Sequence, residues 1–345
     1  MTEQANQRYS RQILFPPIGT NGQEKLMQSR VAIVGMGALG TVLANHMVRA
    51  GIGMVRIIDR DFVEESNLQR QMLYDEEDAR QHLPKAVAAA GKLEKINSMV
   101  RVEAVVADVN ATNAEQLLAD VDLILDGSDN FQIRYLINDV SIKHGIPWVY
   151  GGAVSARGMF AVIRPQVSPC FRCLFPHPPT GRGETCDTAG VIGPIIHIVA
   201  SYQAAEGLKL LVGAHTEINP NLEQFDIWDN EHMQMNIEQG KDANCPACSQ
   251  RQFHYLDLSL ENTEDFSTLC GRDTVQIVPT TLKQVVLQEY HDRFAPIGKV
   301  EMNAFLLRFH IDGYTLVFFK DGRVLVQGTS DITTAKSLYA RYVGH

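Results

Sequence analysis

Residues 31–40 read VAIVGMGALG, and residues 41–59 continue as TVLANHMVRAGIGMVRIID. The run Val31–Val34 is apolar without alternation, as in a strand buried on both faces of a parallel sheet. Gly35-Met36-Gly37-Ala38-Leu39-Gly40 then fits G-x-G-x-x-G, and Leu39, Leu43, Met47 and Val48 recur at helical spacing. A second apolar run, Val55–Ile58, ends on Asp59. The three segments predict one strand–helix–strand unit of a parallel sheet. Its glycine turn brings backbone N–H groups and the positive helix end to a phosphate. Asp59 lies about 20 residues past the turn, where a carboxylate meets ribose hydroxyls.

The pattern repeats outward from this unit. Residues 84–97 read as a helix opened by Pro84, followed by strands near 100–106, 121–130 and 146–153. Alternating strands and helices over the first 155 residues imply an α/β fold, a doubly wound, Rossmann-like sheet. Residues 164–190 mix Pro, Gly, Cys and Arg as a loop would, before an apolar helix at about 192–212. The polar, aperiodic stretch 249–267 marks a boundary. Beyond it lie a strand (DTVQIV), a helix (TLKQVVLQEYHDRF), three strands separated by Asp312-Gly313 and Asp321-Gly322, and a last helix capped by Ser330 or Asp331. The expected organisation is a large domain over 1–250, a linker over 251–267 and a small α+β domain over 268–345.

Composition bounds the function. The chain has 345 residues, 45 % hydrophobic and 21 % charged, enough for a sizeable core. A net charge of −9 argues against nucleic-acid binding by bulk electrostatics. The start, MTEQANQRYSRQ, has no apolar signal region, and no stretch reads as a membrane span, so a cytoplasmic protein is expected.

A nicotinamide enzyme is the default reading of the glycine fingerprint. The residues after Asp59 point elsewhere: Asp61, Asn67, Arg70 and Gln71 are followed by Lys85 at a helix start. A triphosphate with charge developing on departing pyrophosphate calls for Arg and Lys in one pocket. Asp129 and Asn130 end the fourth strand, at the edge where ligands of open sheets sit, and a carboxylate beside a triphosphate suits Mg²⁺. Arg70 and Lys85 could instead be a solvated surface pair.

Cys170-x-x-Cys173 and Cys245-x-x-Cys248 are two chelating knuckles that would complete a tetrahedral site. They lie too far apart for a compact finger, and neither leaves an open position, which favours structural Zn²⁺ over a redox pair or free thiols. Cys186 stands in a glycine-flanked loop suited to a reactive thiolate, whereas a lone cysteine such as Cys270 is more commonly an inert apolar residue.

RYSRQ (8–12), GMGALG (35–40), IIDRDFVEESNLQRQ (57–71), LPKA (83–86), LDGSDN (125–130), CFRC (170–173), CDTAGVIGP (186–194) and CPAC (245–248) together resemble the MoeB/ThiF family. These are adenylyltransferases that activate ubiquitin-like sulfur carrier proteins. The resemblance covers about residues 8–250, and the small domain resembles an extension on some ThiF-type members. It implies that the C-terminal Gly-Gly carboxylate of a carrier attacks the α-phosphate of ATP, giving an acyl-adenylate and pyrophosphate. By family position, Gly35–Gly40 (including Gly37 and Ala38) lie under the nucleotide and Asp59 takes the ribose. Asn67, Arg70 and Lys85 hold phosphates, and Asp129 binds Mg²⁺. Arg11 would reach the γ-phosphate held by the other subunit, making the unit a homodimer, and the four paired cysteines match a structural zinc. Cys186 falls on the cysteine that joins the carrier during sulfur transfer in ThiF-type enzymes. A separate sulfurtransferase or cysteine desulfurase would supply the sulfur. The carrier is expected to be ThiS-like, with a MoaD-like carrier as the alternative and an NAD-dependent oxidoreductase as the remote one.

Overall fold

The computed structural model describes residues 2–178, 186–257, 265–269, 273–278 and 285–343, with backbone alone at 186–187 and 265–269. Contacts divide the chain into two compact units, one of residues 1–184 and 190–258, the other of 185–189 and 259–345.

The large unit is built on eight strands: β1 (Arg30–Val34), β2 (Met54–Asp59), β3 (Arg101–Val106), β4 (Leu123–Asp126), β5 (Trp148–Val154), β6 (Arg157–Ile163), β7 (Asn221–Asp226) and β8 (Glu231–Asn236). Their order is β3-β2-β1-β4-β5-β6-β7-β8. The first five run parallel and the remainder pair antiparallel. The chain leaves β1 towards β2 and β3, then returns to pair β4 on β1's other side. The carboxyl ends of β1 and β4 therefore border the crevice where the strand order reverses, the place at which open α/β sheets bind ligands.

Alternate residues of the central strands feed two cores. Val31, Ile33, Val55, Ile57, Leu123 and Leu125 meet helices Ala38–Ala50, Lys85–Ile96 and Gly193–Val212 on one face. Ala32, Val34, Ile124, Trp148 and Tyr150 meet helix Phe131–His144 on the other. Helix Gly193–Val212 is long and apolar enough to cross a membrane, but half of its apolar window is buried in this core.

In the small unit, β9 (Asp265–Leu269), β10 (Thr274–Val278), β11 (Lys299–Met302), β12 (Leu306–Ile311), β13 (Tyr314–Phe319) and β14 (Val324–Gln327) form an antiparallel sheet of order β11-β12-β13-β14-β10-β9. Val275, Ile277, Leu307, Phe309, Leu316, Phe318 and Val326 pack with Phe294 and Ala335 of the helices Leu287–Phe294 and Ile332–Tyr342. Asp312 (φ 51°) and Gly313 (φ 81°) make the tight β12–β13 turn, as Asp-Gly pairs do. Asp331 caps the last helix, its carboxylate accepting from Thr333 and Thr334 N–H.

Two expectations change. Residues 265–267, read as linker from their polarity, open β9, and 251–257 belong to the large unit. The helix read over 281–294 is described from Leu287, residues 281–284 and Cys270 lying outside the described residues.

Candidate active site and cysteine cluster

The glycine turn is held by close backbone approach. Gly35 has φ +91°, and a Cβ at Gly40 would stand 1.8 Å from Gly35 O, so only glycine fits there. Helix Ala38–Ala50 opens on Gly37 with no side-chain cap. Its leading N–H groups have no internal acceptor and form a ready seat for an anion.

Beside the turn, the Asp59 carboxylate accepts from Met36 N–H (2.6 Å) and from Asp61 N–H (2.7 Å). Burial pushes its pKa up against the pull of Lys85. The Lys85 side chain is only 4 % exposed, and its Nζ lies 3.5 Å from Asp61 Oδ2. That burial separates Lys85 from a solvated surface lysine. The Tyr74 hydroxyl lies 2.8 Å from Met36 O and 3.1 Å from Lys85 O, tying turn to lysine.

Gln71 is buried, with Oε1 lacking a hydrogen-bond partner among the described residues and Nε2 3.8 Å from where a Gly37 Cβ would be. A buried unpaired acceptor is costly unless a ligand satisfies it. Asn67 is buried and accepts from Glu64 N–H (3.3 Å), while Arg70 donates to Ser66 O (2.9 Å).

Across the crevice, Asp129 is exposed after β4. Asn130 caps helix Phe131–His144 by accepting from Gln132 N–H (2.8 Å). Arg60, which sequence reasoning missed, places Nη1 3.0 and 3.1 Å from the two Asp108 oxygens. Burial opposes its charge, but the Asp108, Asp61 and Asp129 carboxylates outweigh it and hold its pKa above the ordinary value. The edge of the sheet thus gathers the glycine turn, Asp59, Asp61, Gln71, Lys85 and Asp129.

Arg11 is not brought there. Its neighbour Gln12 donates to Ala50 O (3.0 Å) at the far end of helix Ala38–Ala50. That helix has 13 residues, about 20 Å of axis. Arg11 is exposed, beside exposed Leu14 and Phe15. The backbone of Cys186 starts the short helix Cys186–Ala189, and its side chain lies outside the described residues.

Cys170, Cys173, Cys245 and Cys248 come together with all four sulfurs within 4.8 Å of one another. Cys170 Sγ is 3.8 Å from Cys173 Sγ and 3.5 Å from Cys245 Sγ, and Cys173 Sγ is 3.5 Å from Cys248 Sγ. A tetrahedron of sulfurs about 2.3 Å from zinc has edges of about 3.8 Å, so the cluster has the size of a metal site. Sharing of hydrogen bonds with Cys173 pushes the Cys170 thiol up, and the same contact brings Cys173 down to about 5.

The segment after the second knuckle docks on helix Phe131–His144. Tyr255 stacks on Tyr135 at 4.9 Å, and its N–H donates to Asp139 Oδ2 (3.0 Å). Burial pushes Asp139 up to about 6, so its carboxyl prefers the neutral form. Its contribution to stability is full below the unfolded value near 4 and is lost as pH rises through about 6, costing about 3 kcal/mol at most. Asp139→Asn should flatten that loss, and urea unfolding between pH 4 and 7 checks it. Parallel curves for both proteins would exclude it.

The sequence profile of the ThiF family matches residues 9–247. The chain is 44 % identical over 338 residues to a sulfur carrier protein ThiS adenylyltransferase of Bacillus subtilis, covering 98 % of this chain and 99 % of that one. It is 36 % identical to a sulfur carrier protein adenylyltransferase of Thermus thermophilus, covering 78 % of this chain and 98 % of the relative. The adenylyltransferase and sulfurtransferase MOCS3 of Xenopus laevis, 36 % identical, shares 76 % of this chain and 57 % of its own length. Crystals of E. coli MccB with ATP share the fold, with a TM-score of 0.61 at 20 % identity over 70 % of this chain and 74 % of MccB. With the family match over residues 9–247 and a relative 44 % identical over 98 % of the chain, the chain belongs to the ThiF family.

Proposed function

We propose that this protein adenylates the C-terminal Gly-Gly carboxylate of a ThiS-like sulfur carrier at the expense of ATP, releasing pyrophosphate. The observation that carries the reading is a crevice bordered by an uncapped helix N-terminus, a buried lysine and an exposed carboxylate. The ThiS adenylyltransferase from Bacillus subtilis, alike over nearly the whole chain including the small unit, supports the carrier type. MOCS3 and related proteins support a MoaD-like carrier as the second reading.

In this reading the Gly35–Gly40 turn seats phosphate and Asp59, fixed by two N–H donors, faces the ribose. Lys85, Arg70 and Asn67 hold the phosphates, and Gln71 Oε1 is an acceptor open to the ligand. These groups align the α-phosphate with the incoming carboxylate and neutralise charge on the leaving pyrophosphate. Asp129 makes no hydrogen bond or ion pair among the described residues, which suits an Mg²⁺ held by one carboxylate, waters and phosphates. Bound there, Mg²⁺ supplies further charge neutralisation. The four cysteines fit structural Zn²⁺.

Arg11 lies a helix length from its own crevice, so its role is in a second copy's site, within a homodimer. Cys186 is assigned to the later sulfur handover, with a sulfurtransferase or cysteine desulfurase as the source. The test is pyrophosphate exchange into ATP with each purified carrier. Exchange with the ThiS-like carrier is expected, and its absence with both carriers would remove the assignment. Arg11→Ala and Asp129→Ala proteins, each inactive alone, should regain about one quarter of the activity when mixed with subunit exchange, because half the dimers then hold one intact site of two. A mixture that stays inactive would overturn the assignment of Arg11 to the other subunit's site.

A further inference from the structure

The loop that presents Asp129 is anchored from beneath by a buried ion pair that the reaction does not use. Asp126, at the end of β4, is fully buried, and Arg134 on helix Phe131–His144 is 6 % exposed. Arg134 Nε donates to Asp126 Oδ2 (2.9 Å), and its Nη2 donates to Ser128 O (2.9 Å) and Gly151 O (3.1 Å). The other Asp126 oxygen accepts from Ser128 N–H (2.9 Å) and Ser128 Oγ (2.6 Å). The guanidinium lies 5.0 Å from the ring centres of both Phe131 and Tyr150. From the opposite core, Gln203 Nε2 donates to Asp126 O (2.9 Å) and Val149 O (3.1 Å).

Every polar group of Ser128 is thereby held, and Asn130 is held as a helix cap. Asp129 sits between these two fixed points with an exposed side chain. A buried ion pair is a poor source of stability, since two apolar residues of like volume commonly serve as well. A guanidinium that fixes two carbonyls and a carboxylate at once does what no apolar residue can.

We propose that Arg134 is a positioning residue, touching neither nucleotide nor carrier, that fixes the 128–130 loop so that the Asp129 carboxylate meets the metal–nucleotide in a set place. This rests on the assignment of Asp129 to Mg²⁺ with ATP. A lysine at 134 keeps the charge opposite Asp126 but cannot also span Ser128 O and Gly151 O in the guanidinium's planar fork.

The test compares Arg134→Lys with the wild-type full chain by calorimetric titration of a non-hydrolysable ATP analogue, with and without Mg²⁺, and by pyrophosphate exchange over a range of Mg²⁺. Arg134→Lys should lose about tenfold or more of the Mg²⁺-dependent gain in analogue affinity, as supporting residues of metal ligands do. Its affinity without Mg²⁺ should hold, and its exchange kcat should fall about 100-fold with little change in KM. Arg56→Lys, in the remote Arg56–Glu103–Asp120 group, serves as the control for destabilisation. Ser128→Ala removes one bond of the network and keeps the ion pair, so it carries the test if Arg134→Lys does not fold. Its expected loss is about fivefold in the same metal-dependent gain.

Unchanged Mg²⁺ dependence in the folded Arg134 or Ser128 variant would overturn the proposal, as would an equal change in Arg56→Lys. If wild-type protein shows no exchange with any carrier yet binds the analogue with Mg²⁺, the functional reading fails, while the calorimetric comparison still decides the role of Arg134.

Discussion

Asp129→Ala is expected to lower carrier-dependent pyrophosphate exchange by about 1,000-fold or more while leaving the melting temperature nearly unchanged. The two halves have separate physical causes. The side chain is exposed and unpaired among the described residues, and surface substitutions of that kind change stability by about 0.5 kcal/mol or less. In the crevice it lies in the field of Arg60 and Arg134 but is hydrogen-bonded to neither among the described residues, while neighbouring Asp126 is committed to Arg134 and Ser128. Removing an electrostatic anchor that acts where charge develops costs about 10² to 10³ in rate, and more when a metal ion leaves with it. Exchange followed with radiolabelled pyrophosphate, beside a thermal melt, reads both. A variant that retained a tenth of the activity would move the metal to another carboxylate, with Asp61 beside Lys85 one alternative.

Cys170→Ser is expected to act in the opposite way, as a fold lesion. Cys170 is fully buried, and its sulfur stands beside those of Cys173 and Cys245. Its knuckle follows β6, and its partner knuckle lies past β8, so a bound ion would clip two distant parts of the large unit. Structural zinc contributes about 10 to 16 kcal/mol of apparent binding energy in small domains. If about 5 kcal/mol of that is felt here, the melting temperature falls by about 10 to 20 °C for a unit of this size. Metal analysis should find one zinc per wild-type chain and none in the variant. Zinc-free protein with an unchanged melting temperature would mean that the cysteines pack as ordinary apolar residues.

The parts of this molecule written in local patterns were legible. Val31–Val34, the glycine turn and Asp59 form one continuous strand–turn–helix–strand signal, and Cys-x-x-Cys announces itself whatever the distance to its mate. Strand β8 was not legible, because Glu231–Asn236 is exposed at every position and offers only Met233 and Met235 as apolar residues. Helix Phe131–His144 was missed for the converse reason. It buries Arg134, Asn138, Asp139 and Ser141, so its polar residues point inward and blur the helical period. The stretch around Tyr255 read as linker although its aromatic residue stacks on Tyr135; Phe253, Tyr255 and Leu256 were the available signal. Arg134 and Asp126 look in sequence like two surface charges. Only the fold shows that they face each other inside it.

The N-terminal arm has a quantitative corollary. Its anchor at Ala50 O pins Arg11 to the wrong end of a rigid rod for its own crevice, so under the proposed homodimer a solitary chain would carry an unfinished pocket. Output should then follow pairs and not chains: under dilution that separates the copies, doubling the amount of protein would roughly quadruple turnover. Cells making little of the protein would hold it nearly silent, and a modest rise in its abundance would switch it on.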